Sequence, residues 1–150
     1  MSLYGSIVFI HIIAAVAGLG ASFAMPVIMK NPSTASQAKF ALDLNHKVEL
    51  FAKVGSIALL LTGLILGILN TNLFTTGWYI TSIIIYLAVQ VVVAGIMPKK
   101  VKKMTEIIEA HKGEDIPESY QKVNKELAPY NSILHTAIVI LVILMSFKPF

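Results

Sequence analysis

From Val54 to Pro98 the chain carries no Lys, Arg, Asp or Glu. Nothing in that stretch can form a solvated excursion, so it has to read as two apolar helices joined by a tight turn at Asn70-Thr71-Asn72. A membrane-spanning helix needs about 20 mainly apolar residues. Four segments meet the requirement, at about 3–29, 54–69, 78–97 and 129–147. The whole chain is 56% hydrophobic and 13% charged, with a mean hydropathy of +0.76. A globular domain carries about 25% charge, and a soluble chain of 150 residues cannot bury so much apolar surface in one core. The expected fold is all-α: one integral membrane domain, 1–150, built as a four-helix transmembrane bundle. No basic region precedes the first apolar run, so residues Met1 to Met29 are expected to be mature structure rather than a cleaved signal.

Lysine placement gives an orientation. Lys30, Lys39, Lys47 and Lys53 lie between spans one and two, and Lys99, Lys100, Lys102, Lys103, Lys112, Lys122 and Lys125 between spans three and four. Positive residues stay cytoplasmic, so both termini are expected outside, in the cytoplasmic membrane of a bacterium. Tyr4, Phe74, Trp78 and Tyr79 are expected at the outer interface, as aromatic belts are. The net charge of +4 comes from Lys alone, since the chain has no Arg. That suits headgroups better than nucleic acid, where Arg forks are usual. With no Cys, disulfides and thiolate metal sites are excluded.

The connections read as helical extensions. One starts near Ser33, after Asn31-Pro32, and carries the i,i+4 pairs Asp43–Lys47 and Glu49–Lys53. A second runs from Lys99 to Lys112 and stops at Gly113. A third starts at Asp115-Ile116-Pro117-Glu118 and enters span four, which Pro129 either kinks or opens.

Small residues recur at helical spacing: Ala14, Gly18 and Ser22 in span one, Gly63 and Gly67 in span two. Such residues let helices approach in lipid, within the bundle or between two copies of the chain. Beside a histidine they also leave room for a flat ligand. His11 and His135 sit inside spans one and four. An ionisable ring at that depth is costly and normally faces the bundle interior with something to bind or relay. Gln90 and Thr62 supply further inward polar groups from spans three and two. Three readings compete. Both histidines ligate the iron of a b-type haem; one or both bind a metal or relay protons, with Met25 and Met29 as soft ligands for copper; or a bond such as His135 to Gln90 merely ties helices together. His46, with Glu49 one turn on, reads as a solvated helix face, and His111 as a helix end.

The run from Ser6 to Gly20, with His11 ahead of Ala14, Ala15 and Gly18, resembles the first helix of a group of small bacterial integral membrane proteins. Together with Leu61-Thr62-Gly63-Leu64 it is similar to the HemJ-type protoporphyrinogen oxidases and the membrane part of CopD-type copper-resistance proteins. The resemblance covers about the first half of the chain and implies a four-helix haem-binding bundle with His11 as leading ligand. HemJ-type proteins carry a functional lysine in a later helix, and span three here has none. The expected function is a haem b membrane protein for electron transfer or quinone- or porphyrin-linked oxidation. His11 is its leading ligand, His135 is the second ligand or a distal group, and Ala14, Gly18, Gln90 and Thr62 line its site. The alternatives are copper handling, small-solute permeation, or a structural subunit that assembles through the Gly63/Gly67 face. Expected partners are the lipid bilayer, haem or porphyrin and a second copy of the chain, with no nucleic acid.

Overall fold

A computed structural model describes residues 2–150. Four long helices make up the molecule: α1 (Leu3–Lys30), α2 (Ala35–Leu69), α3 (Gly77–Ala110) and α4 (Glu118–Phe147). Each is long and apolar enough to cross a membrane. They run up and down, with both connections that carry lysines at one end and the short one at the other.

The starts and stops follow local chemistry. Thr34 caps α2, its hydroxyl accepting from the Gln37 N–H at 3.2 Å, while the Gln37 side chain accepts from the Ser33 N–H at 2.8 Å. Gln37 stands at the capping-box position but reaches one residue past the cap, to Ser33. Helix α3 ends at Ala110, ahead of Gly113, and α4 begins directly after Pro117. Pro129 lies inside α4 and does not open it. The turn between α2 and α3 is longer than Asn70-Thr71-Asn72, because a 3-10 turn occupies Thr71–Thr75.

The helices associate as two pairs, α1 with α2 and α3 with α4. The first pair is closed by Gly18 against Gly55. A Cβ placed on Gly18 would come within 2.7 Å of the Ser56 amide nitrogen and 2.8 Å of the Gly55 carbonyl carbon. Only two glycines let backbones approach so closely, which is how small residues bind helices where lipid offers no hydrophobic drive. Gly18 sits in one of two π-turns, Val16–Gly20 in α1 and Val92–Ile96 in α3. Gly63 and Gly67 also face inward, Gly63 against the His11 ring and Gly67 against Phe74 and the Tyr79 hydroxyl. The GxxxG face is therefore used inside the chain, not held open for a second copy.

Tyr79 departs from the interfacial role expected of it. It is buried, donates to the Gly63 carbonyl at 2.9 Å and meets Phe74 edge-on. Its hydroxyl takes up a polar bond across the pairs that a lipid-facing ring would not need. Trp78 stays half-buried under the Lys148 ammonium, and Tyr4 is exposed.

The lysine-rich end has a core of its own. Met29, Ala35, Ala38, Leu42, Met104, Ile108, Tyr120, Val123 and Leu127 pack there, with Ala38 and Met104 fully buried. The ion pairs Lys47–Asp43 and Lys53–Glu49 form at 2.8 Å each. Lys100 bridges α3 to Glu126 of α4 at 2.6 Å, and this bond and charge hold the Glu126 carboxyl below its ordinary range. Burial pushes the Tyr120 hydroxyl up to about 12.

Candidate functional site

His11 is fixed by α2. Its Nδ1 lies 2.8 Å from the Thr62 hydroxyl, which in turn donates back along its own helix to the Ala58 carbonyl at 2.6 Å. A threonine hydroxyl has one proton to give, so it accepts from His11, and the ring is the Nδ1–H tautomer. Around it the small residues are already in use. Ala14 is buried among Leu59, Tyr86 and Leu141. Gly18 meets Gly55, and Gly63 lies under the ring, where a Cβ would be 3.3 Å from Cε1. The face that could clear space for a porphyrin is occupied by α2.

His135 has a different employment. Pro26 lies inside α1 and has no N–H, so the Ser22 carbonyl one turn back loses its helical donor. The His135 Nε2 lies 3.4 Å from that carbonyl oxygen, and its ring stacks on Phe23 with centroids 4.3 Å apart and planes 13° off parallel. In lipid a carbonyl freed by proline is re-satisfied by a neighbouring helix, and His135 from α4 does this. It does not bond to Gln90.

The two rings are not brought together. His11 meets α2 at its own level, and His135 meets α1 at Ser22, eleven residues further along. At 1.5 Å per residue the offset is about 17 Å. Two imidazoles that share one metal each place a nitrogen about 2 Å from it. A haem iron held by both His11 and His135 does not fit this arrangement. His46 lies 3.8 Å from Glu49, whose other oxygen is held by Lys53. Among the described residues no group of three or more His, Cys, Asp or Glu side chains is placed to hold a metal ion.

What the fold does hold is a chamber of about 480 Å³ in the seam between the two helix pairs. That volume falls within the range of about 300–1,000 Å³ usual for small-molecule sites. Its walls are mostly apolar, with Leu19, Ile57, Val89, Val93, Leu134 and Ile138 among them. Both π-turns contribute, through Gly18 and Leu19 and through Val93 and Ala94. Such wide turns are frequent at functional sites.

Polar groups gather at its two ends. At mid-span Gln90 donates to the Ser56 hydroxyl at 3.0 Å, Ser56 is bonded to the Tyr86 hydroxyl, and Tyr86 donates to the Ser56 carbonyl at 2.6 Å. The Gln90 carbonyl oxygen makes no bond among the described residues. At the lysine-rich end Asn45, Glu49, Asn124 and Asn131 line the walls, with Lys30, Lys53 and Lys125. Asn124 donates to the Met29 carbonyl at 3.0 Å. Asn45 is 4% exposed, and its Oδ1 has no partner. From Ser56 to Asn45 the chamber follows α2 for about 17 Å.

Of the residues expected to form a site, Gln90 and Gly18 line the chamber. His11, His135, Ala14 and Thr62 do not. Asn45, Ser56, Tyr86 and Asn124 were not anticipated. Asn45 had a signal, an amide on the buried stripe Ala38, Ala41, Leu42 where an apolar residue belongs.

The chain belongs to DUF2269, a family described as predicted integral membrane proteins, whose profile matches residues 6–149. No curated protein and no solved structure matches it. It is thus an integral, multi-pass membrane protein with the lipid bilayer as its surroundings.

Proposed function

We propose that this DUF2269 protein is a membrane-embedded binding protein for an amphiphilic small molecule. One observation carries the reading: a mostly apolar chamber between two helix pairs, with hydrogen-bonding groups set at each end. An amphiphile places its chain along Leu19, Val93 and Ile138 and its polar group against the amides. The positive-inside rule puts the lysine-rich end in the cytoplasm, so the molecule is taken from the inner leaflet.

The test is to purify the full chain in a mild detergent, extract it with organic solvent and identify what is retained by mass spectrometry. Val93→Trp, which fills the chamber, is expected to lose the retained molecule while eluting as the native protein does. An empty extract, or equal retention by the variant, would refute the reading. An absorption spectrum of the same preparation decides the haem expectation that followed from the likeness of Ser6 to Gly20 to HemJ-type and CopD-type proteins. A Soret band lost in His11→Ala and kept in His46→Ala would replace the present reading. A second reading has one observation in its favour: Met25, Met29 and Met97 all line the chamber, and thioethers are soft ligands that suit copper(I). Saturable copper(I) binding, abolished by Met25→Leu with Met29→Leu, would support it.

A further inference from the structure

The polar bonds at mid-span leave one amide edge open. Tyr86 donates to the Ser56 carbonyl at 2.6 Å, so its single proton is committed and the Ser56 hydroxyl donates to the Tyr86 oxygen. Gln90 gives one N–H to the Ser56 hydroxyl at 3.0 Å. The protons of the tyrosine and the serine are then both used. What is left over belongs to Gln90: a second N–H and the carbonyl oxygen Oε1, neither bonded among the described residues. Oε1 is not sealed off as the unpaired Asn45 and Tyr120 oxygens are, and Gln90 lines the chamber. It lies thirteen residues into α3 from Gly77 and nine ahead of Lys99, about 20 Å from one end of the apolar stretch and about 14 Å from the other. In hydrocarbon an open amide is costly, and a polar side chain held there marks a functional site.

The walls decide what kind of molecule satisfies that amide. They are aliphatic and thioether, with Leu19, Val89, Val93, Leu134 and Met97 among them. Among the described residues none that lines the chamber is aromatic, so a porphyrin or a quinone finds no ring to stack on. Lys53, the cation nearest Ser56 along α2, is held by Glu49 at 2.8 Å. A carboxylate or phosphate at Gln90 would therefore leave water without a free counter-charge. An uncharged hydroxyl meets both demands with one group, donating to Oε1 and accepting from the free N–H.

Resting on the binding role proposed above, we infer that the occupant is an uncharged aliphatic lipid alcohol. Its hydroxyl pairs with the Gln90 amide, and its hydrocarbon chain lies along Val93 and Leu134.

The test measures binding to the full chain in a mild detergent for three probes: 1-tetradecanol, its methyl ether, and a hydroquinone carrying a decyl chain. Each affinity is corrected for the probe's measured partition into empty micelles. The ether accepts a hydrogen bond but cannot donate one. The alcohol is therefore expected to bind about tenfold more tightly, the discrimination due when a missing donor leaves an acceptor unpaired in an apolar site. Gln90→Met keeps the side-chain length, leaves Ser56 bonded to Tyr86, and is expected to bring alcohol and ether to parity. The hydroquinone brings its donors on a flat ring and is expected to bind more weakly than the alcohol.

Equal affinity of the native chain for the alcohol and the ether overturns this inference and leaves the amphiphile reading standing. That comparison needs no variant, so it decides the matter even where Gln90→Met does not fold. A preference for the alcohol that survives in Gln90→Met overturns the contact with the amide. Hydroquinone binding as tight as that of the alcohol overturns the aliphatic assignment. Failure of all three probes to bind overturns the amphiphile reading as well.

Discussion

Gly18 and Gly20 are two residues apart on the same turn, and they should answer the same substitution with opposite signs. By helix propensity alone, Gly→Ala is worth about 1 kcal/mol in favour of alanine. Nothing lies within 4 Å of a Cβ placed on Gly20, so Gly20→Ala should keep most of that gain. A Cβ on Gly18 meets the Ser56 amide nitrogen at 2.7 Å and the Gly55 carbonyl carbon at 2.8 Å, where ordinary contacts begin near 3.4 Å. Both obstacles are backbone and cannot swing aside, so α1 and α2 have to separate by roughly 0.6 Å or more. Overpacking of this kind costs about 1–3 kcal/mol, and with no flexible neighbour the upper half applies. After the propensity gain, Gly18→Ala should lose about 1–2 kcal/mol. The two variants should then differ by about 2–3 kcal/mol. Equilibrium unfolding in mixed detergent micelles, followed by far-ultraviolet dichroism, measures the difference. Equal stability of the two variants would refute the close crossing as the link that joins α1 to α2.

Other expectations follow from single contacts. His135→Phe keeps the stack on Phe23 and loses the donor to Ser22, at a cost of about 0.6–1.7 kcal/mol, the range for such bonds in membranes. In a Pro26→Ala background, where the helix supplies its own donor, the same change should cost close to nothing, and a double-mutant cycle of unfolding free energies reads the coupling. Tyr120 is 2% exposed and its hydroxyl has no partner, so Tyr120→Phe should raise stability by about 1 kcal/mol, measured by the same unfolding assay. In the native chain the Tyr120 hydroxyl titrates higher when folded. The unfolded hydroxyl ionises near 10 while burial keeps the folded one neutral toward about 12, so the folded state loses stability as pH rises through that window, and this alkaline loosening of the lysine-rich end should be blunted in Tyr120→Phe. Lys100→Gln releases the Glu126 carboxyl toward its ordinary range. Carbon-13 NMR titration of that group should show its midpoint rise.

The four helices could be read from the sequence because membrane helices announce themselves by length and missing charge, and Val54 to Pro98 left no other fold. Start signals placed the beginning of α2 within two residues and that of α4 within the run Asp115-Ile116-Pro117-Glu118. The partners of each side chain could not be read in the same way. An apolar helix looks alike on every face, so nothing in the chain told Gly55 from its neighbours, although it makes the tightest approach in the molecule. The histidines stood out because rings are costly in lipid, yet each is satisfied locally, His11 by Thr62 and His135 by a carbonyl that Pro26 left without a donor. Pro26 and His135 are far apart in sequence, and only a fold could join them. The chamber was invisible for the same reason, being a property of how two pairs of helices fail to meet.

Water drives packing at one end of this molecule only. The side chains of Ala38, Met104, Ile108 and Tyr120 are squeezed together by solvent, whereas the helices further in are surrounded by a medium as oily as themselves. Away from that end the two pairs are joined by directed bonds instead: Tyr79 to the Gly63 carbonyl, Gln90 and Tyr86 to Ser56, and His135 to the Ser22 carbonyl. Such bonds fix which residues meet, and solvent supplies the squeeze only where the lysines are.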